Sequence, residues 1–289
     1  MSVRRSPATR KVSGLVRLFR FELPLAAGLC AVLGQVLALG ATPSLPVAAL
    51  GFVAIFCVSA TALILNDYLD LETDRINAPH RPIPSGVVRP REALALSMAV
   101  ALAGLVASAA LGRVALVTAT IIWIIGVLYN WRYKRTGFAG NLMVAASVGM
   151  TFVFGGITVG QPTSVYAWWF AAIAFLMDLG EEIAADAMDI EGDKLIGSAS
   201  LAILHGRMFA LRVSALIFGV LVAVSLVPFV LGLMSSVYLV PILTMDAVTL
   251  YAAIRLLDAR LANPRAHIRA IYLSGLAAVV LFLVLRLTR

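Results

Sequence analysis

The chain turns on Ala62-Leu63-Ile64-Leu65-Asn66-Asp67-Tyr68-Leu69-Asp70-Leu71-Glu72-Thr73-Asp74-Arg75. An apolar run that begins near residue 46 ends here, and four acids follow within eight residues. The run is as long as the ~20 residues that cross a hydrocarbon core, so it reads as a membrane-spanning helix with an acidic end. On a helix, Asp67, Asp70 and Asp74 stand at i, i+3 and i+7, which is one face. Asn66, Asp70 and Asp74 stand at i, i+4 and i+8, an overlapping face. Carboxylates this close repel one another, so the face calls for a cation. Asp186, Asp189 and Asp193 repeat the i, i+3, i+7 spacing more than a hundred residues later. These two stretches predict two acidic faces that meet across a cavity at a membrane surface and share magnesium ions.

Working outward, the apolar pattern recurs from end to end. The 289 residues are 61% hydrophobic and 13% charged, against roughly 25% charged in soluble domains. Nine stretches are long enough to span a bilayer: 22–40, 46–66, 93–112, 114–131, 139–160, 165–180, 208–233, 236–256 and 269–287. The basic residues test that layout. With the N-terminus in the cytosol, twenty of the 23 Lys and Arg residues fall on the cytosolic side, and only Arg113, Arg286 and Arg289 do not. The net charge of +8 therefore follows the positive-inside rule and calls for no nucleic-acid partner. The expectation is an all-α polytopic membrane protein, with about nine transmembrane helices in a bundle around a central cavity. Residues 1–20, which carry Arg4 and Arg5, read as a basic cytosolic tail without a signal-peptide pattern. Residues 21–289 read as a single transmembrane domain with cytosolic cap loops at about 67–92 and 181–207. Eleven of the 15 acids lie in 67–74 and 178–193. Cys30 and Cys57 sit in apolar runs and read as small buried residues.

Magnesium takes one or two carboxylates together with waters and substrate phosphates. Two acidic faces can hold such ions around a diphosphate and neutralise the charge that develops as it leaves. Departure from an allylic carbon leaves a carbocation, which needs a dry pocket and is stabilised by aromatic faces. Tyr68, Tyr129, Trp131 and Tyr133 lie at the expected depth, and a membrane cavity suits an isoprenoid tail. Ile76-Asn77-Ala78-Pro79-His80-Arg81-Pro82-Ile83-Pro84-Ser85-Gly86 has too many prolines for a long helix. It reads as a stiff loop whose Arg75 and Arg81 grip phosphate oxygens. Tyr129-Asn130-Trp131-Arg132-Tyr133-Lys134-Arg135 adds three cations, with Arg132 and, near the second face, Lys194 as further phosphate contacts.

The stretch Asn66–Asp74 resembles the N-D-x-x-D-x-x-x-D signature of the UbiA-type intramembrane prenyltransferases. Arg81–Gly86, Tyr129 and Lys134 before Gly140-Asn141, and Glu182-Ile-Ala-Ala-Asp186-Ala-Met-Asp189-Ile-Glu-Gly-Asp193 are similar to that family as well. The resemblance spans nearly the whole chain. It implies a magnesium-dependent enzyme that ionises a prenyl diphosphate and passes the prenyl group to a lipophilic acceptor within the bilayer. Carried over by position, Asn66, Asp70 and Asp74 match the first metal set, with Asp67 beside them. Asp189 and Asp193 match the second, with Asp186 and Glu182 adjacent. Lys134, Arg75 and Arg81 match diphosphate contacts, and Tyr129 a residue for the cation or its proton chemistry. Asp67, Tyr129 and Lys134 are thus the expected catalytic residues. Glu22 departs from the family's usual Asn or Asp and marks the subgroup or its acceptor.

Phe21-Glu22-Leu23-Pro24 and the Glu191-Gly192-Asp193 of the second motif resemble the archaeal-type lipid branch of the family. That branch transfers geranylgeranyl to geranylgeranylglyceryl phosphate in ether lipid synthesis. An aromatic quinone precursor, such as hydroxybenzoate or dihydroxynaphthoate, stays open as acceptor. A transporter is the competing reading outside enzymes, although its polar groups would sit at midplane on broken helices rather than at one end. Asp246, in the middle of its helix, either pairs within the bundle or lines the cavity. Gly104, Gly126, Gly149, Gly155 and Gly156 read as close-packing positions between helices.

Overall fold

The structure is a computed structural model and describes residues 6–195 and 197–288. Arg4, Arg5 and Arg289, which entered the charge tally, lie outside the described residues. Among the described residues there is no strand. The helices are α1 (Pro7–Leu18), α2 (Glu22–Leu39), α3 (Leu45–Leu69), α4 (Leu71–Asn77), α5 (Pro90–Ala110), α6 (Arg113–Trp131), α7 (Phe138–Thr158), α8 (Val165–Asp186), α9 (Ile190–Leu195), α10 (Leu201–His205), α11 (Arg207–Val230), α12 (Leu239–Leu256) and α13 (Pro264–Leu287). Short 3-10 turns occupy Tyr133–Thr136 and Ser236–Tyr238.

Nine of these helices coincide with the nine predicted stretches. Eight are long and apolar enough to cross a membrane. The ninth, α8, has 22 residues, or about 33 Å of rise. It lacks an uncharged window because Asp178, Glu181, Glu182 and Asp186 crowd its last nine residues. Sequence reading stops this helix at residue 180, inside the acid-rich stretch, but the backbone continues helical to Asp186. Glu182 and Asp186 therefore sit on a helix rather than in a cap loop. Similarly, α3 runs on to Leu69, so Asn66 and Asp67 are helical. The segment read as a basic tail is also helical from Pro7 to Leu18. Ser6 caps it by accepting from the Thr9 amide at 3.2 Å, and Pro7 occupies the first turn.

The chain separates into two compact units. One comprises residues up to Gly28 together with Leu45–Trp131. The other comprises Leu29–Ser44 and residues from Arg132 on. In the first unit α3 packs against α5 and α6, and α5 against α6. Gly104 permits the α3–α5 approach: a Cβ there would lie 2.9 Å from the Cys57 Cβ and 3.0 Å from the Ala54 carbonyl oxygen. Leu18, Ala60, Ile64, Ile83, Val88, Ala93 and Val100 form a separate apolar cluster in this unit. Through Ile83 and Val88 it pins the proline-rich turn between α4 and α5.

In the second unit α8 packs against α7, α11 and α13, and α12 against α11 and α13. Small residues again bring backbones together where lipid gives no hydrophobic drive between helices. A Cβ on Gly149 would stand 2.7 Å from the Ala171 carbonyl oxygen, joining α7 to α8. One on Gly155 would stand 2.2 Å from that of Ala31, joining α7 to the second half of α2. Phe170 meets Phe282 edge-on at 4.8 Å, inside the apolar core of this unit.

Candidate active site

In the first unit, the acidic face grows out of the end of α3. The Asp70 amide bonds to the Asn66 carbonyl at 2.9 Å, and the Asp74 amide to the Asp70 carbonyl at 2.8 Å. The i to i+4 ladder thus crosses the α3–α4 junction, and Asn66, Asp70 and Asp74 remain one turn apart along it. Asn66 Nδ2 donates to Asn130 Oδ1 at 2.9 Å. Asn130 in turn donates to the Ala62 and Gly126 carbonyls at 3.1 and 3.0 Å. With its nitrogen so engaged, Asn66 presents Oδ1 as its remaining polar atom.

The two buried acids beside it are organised by arginines. Arg81 Nη1 donates to both carboxylate oxygens of Asp74, at 2.7 and 2.6 Å, and lies 3.6 Å from Asp67 Oδ1. Arg20 completes the arrangement with an ion pair to Asp67. Asp67 and Asp74 are only 2% and 6% exposed, and ionised acids that far from water need such partners. Arg81, expected on phosphate, is therefore held on carboxylates. Arg75 is exposed and bonds Glu72 at 2.9 and 2.8 Å. Glu22 opens α2 and is exposed. Tyr129, near the end of α6, is half-buried.

In the second unit, Asp186 at the end of α8 accepts from Asn141 Nδ2 of α7 at 2.9 Å. Asn141 is itself 5% exposed. A turn then separates Asp186 from Asp189, and the Asp193 amide bonds the Asp189 carbonyl at 2.9 Å at the start of α9. The chain after α9 folds back on the turn that carries Lys134: the Ala199 amide donates to the Arg135 carbonyl at 2.9 Å. Gly137 makes this contact possible. Its φ is +62°, and a Cβ there would stand 2.2 Å from the Ala199 carbonyl oxygen. Lys134 consequently lies within electrostatic reach of Glu182 and Asp193. Burial pushes the Asp193 carboxyl above the ordinary carboxylate range, Asp189 adds to the rise, and Lys134 opposes it. Asp189 pairs with Arg265 at the start of α13. Lys194 pairs with exposed Glu191 at 3.5 Å, and Arg132 is exposed.

Sequence reading left Asn130, Asn141, Arg20 and Arg265 without site roles. Each reaches its acid or amide from a distant part of the chain, so no local spacing reveals it. Among the described residues, no three His, Cys, Asp or Glu side chains form a closed metal cage. Magnesium does not require one, since it keeps waters and takes phosphate oxygens beside one or two carboxylates. Within each unit the hard oxygen donors fit that preference: Asp70 and the Asn66 amide oxygen in the first, Asp186 and Asp193 in the second.

Residues 27–276 match the model of the UbiA prenyltransferase family. A digeranylgeranylglyceryl phosphate synthase of Thermococcus kodakarensis is 36% identical over 267 residues, covering 92% of this chain and 95% of that protein. A solved structure of a digeranylgeranylglyceryl phosphate synthase superposes with a TM-score of 0.78 at 27% identity, over 96% of this chain and 99% of the other. A UbiA homologue from Archaeoglobus fulgidus bound to GPP and Mg2+ shares the fold, with a TM-score of 0.68 at 18% identity, over 95% and 98% of the two chains. The chain belongs to the UbiA prenyltransferase family. It is an integral membrane prenyltransferase.

Proposed function

We propose that this enzyme transfers geranylgeranyl from geranylgeranyl diphosphate to the free glycerol hydroxyl of geranylgeranylglyceryl phosphate, with magnesium as cofactor. One observation carries the acceptor: the identity to the Thermococcus kodakarensis synthase runs nearly the full length of both proteins. In this reading Asn66, Asp70 and Asp74 of the first unit, and Asp186, Asp189 and Asp193 of the second, would hold magnesium. When bound, magnesium supplies the positive charge on which the diphosphate docks and departs. Lys134 contributes a further cation for phosphate oxygens, backed by Arg132. Asp67, gripped by Arg20 and Arg81, positions Arg81 and the acidic face. The allylic C–O bond breaks with its electron pair leaving on the diphosphate. The acceptor's hydroxyl oxygen forms the new C–O bond and loses its proton. Tyr129 is the residue we assign to the carbocation or to that proton.

We also infer that the acid-bearing ends of α3 and α8 face the cytosol, because the basic residues concentrate in the connections at those ends. The test uses purified protein, geranylgeranyl diphosphate, magnesium and a panel of acceptors: geranylgeranylglyceryl phosphate, hydroxybenzoate and dihydroxynaphthoate. The expected product by mass is digeranylgeranylglyceryl phosphate. An aromatic product would move the enzyme to another branch, and transport without any covalent product would overturn the reading.

A further inference from the structure

The first unit holds a cavity of a different character from the acidic face. It lies between α1 and the turn after Arg81, measures about 170 Å³, and is lined by Arg10, Ser13, Gly14, Arg17, Pro82 and Val87. Arg10, Ser13, Gly14 and Arg17 stand at i, i+3, i+4 and i+7, so they form one stripe of α1. Gly14 brings this stripe down onto the turn. A Cβ there would stand 2.7 Å from a Val87 methyl and 2.8 Å from a Val88 methyl. The arginines flank that floor, about 10 Å apart along the helix axis.

Neither arginine has an acidic partner among the described residues. Among the described residues no ion pair involves Arg10 or Arg17, whereas Lys11 of the same helix pairs with Glu92. Two guanidinium groups beside one small cavity repel each other until an anion joins them. Their planar forks and the Ser13 hydroxyl suit tetrahedral oxyanions, phosphate above all. The surroundings say what carries that phosphate. Val12 and Val16 of α1 are 61% and 46% exposed, and Phe21, Leu23 and Leu25 just beyond it are 43–44% exposed. Basic residues on one stripe and bare apolar residues beside it are the pattern of a helix lying in a membrane interface.

We propose that this cavity binds the phosphate of a glycerophosphate lipid. Pro82 forms part of its wall, and the preceding residue, Arg81, holds Asp67 and Asp74. A seated headgroup is thus one residue from the arginine that shapes the acidic face. The same chemistry is carried by an anionic membrane lipid and by the acceptor proposed above; only its assignment to the acceptor rests on that proposed function.

The test uses full-length protein in nanodiscs, as wild type, as R10Q/R17Q, and as K11Q. The last removes one cation from the same helix but not from the cavity. Native mass spectrometry reads retention of phosphatidic acid against phosphatidylcholine. Wild type and K11Q retain phosphatidic acid, and R10Q/R17Q retains about tenfold less, as expected from losing charge-assisted contacts. A second arm measures KM for geranylgeranylglyceryl phosphate and for geranylgeranyl diphosphate. If the seated phosphate is the acceptor's, R10Q/R17Q raises only the acceptor KM, and phosphatidic acid competes with the acceptor. If it belongs to a bulk lipid, both KM values hold while retention falls. Equal loss of retention in K11Q and R10Q/R17Q, or loss in neither, overturns the cavity. The retention arm stands even if no glycerol ether product is formed.

Discussion

Asn66 and Asn130 form a directed amide pair: Asn66 Nδ2 donates to Asn130 Oδ1 at 2.9 Å. Asn130 is fixed in turn by its own donations to the carbonyls of Ala62 on α3 and Gly126 on α6. The pair joins two helices of one unit and decides which atom of Asn66 is left for a ligand. Exchange of oxygen and nitrogen at Asn66 would present a donor to a cation, so the orientation is worth most when metal binds.

Asn130→Leu is therefore expected to act on metal dependence first. Loss of a partner that orients a metal ligand typically weakens metal affinity or activity by about 10–100-fold. The magnesium concentration for half-maximal prenyl transfer should rise by about that factor, measured against Asn66→Ala as the direct loss. A variant with unchanged magnesium dependence would remove Asn66 from the metal set.

Arg81 serves two buried carboxylates at once, so its two substitutions should part. Arg81→Ala leaves Asp67 with Arg20 alone and Asp74 with no guanidinium. Removing one partner of a buried pair is destabilising by about 3–5 kcal/mol, with the lower end expected here because Arg81 is partly exposed. Arg81→Lys keeps the charge but replaces the planar guanidinium, whose Nη1 serves both Asp74 oxygens and lies near Asp67, with a shorter point-like ammonium. Thermal unfolding in detergent should separate them: a large drop for Ala, a small one for Lys, with turnover reduced in both.

The helices were legible in the sequence because their signal is local. An uncharged run of bilayer length leaves a soluble domain little room as an alternative, and α3, α6 and α13 end close to where composition changes. α8 shows the limit. Glu181 and Glu182 look like the start of a polar loop when read along the chain. Helical hydrogen bonding continues through them because neighbouring helices surround this segment. The acids of the site were legible from their spacing, but their partners were not. Asn141 is 45 residues from Asp186 and Arg265 is 76 from Asp189; only the fold sets those distances. Arg81 was correctly singled out as a site residue, but spacing does not distinguish a grip on phosphate from a grip on Asp74.

Gly137 should tolerate no side chain. Its positive φ disfavours L-residues by about 1–2 kcal/mol, and a Cβ would collide with the Ala199 backbone, which has no flexible end to move. Gly137→Ala should release the 133–137 turn from residues 197–200 and carry Lys134 away from Asp193. The expected signature is lower turnover and faster hydrogen exchange at the Ala199 amide, with protection along α7 and α8 largely kept.

Asp246 lies 4% exposed in the middle of α12, with Oδ2 2.7 Å from Ser225 Oγ on α11. The same Oγ lies 2.8 Å from the Val222 carbonyl oxygen. Ser225 donates to the Asp246 carboxyl oxygen, with the Val222 carbonyl as a second acceptor for its single proton. An acid between helices is costly without such a partner. Asp246→Asn keeps an acceptor oxygen for Ser225 and should leave stability and prenyl transfer near wild type. Asp246→Ala and Ser225→Ala each strip one member and should destabilise by about 1–3 kcal/mol, read by thermal unfolding in detergent. If Ser225→Ala unfolds as wild type does, the Ser225–Asp246 contact contributes nothing to stability.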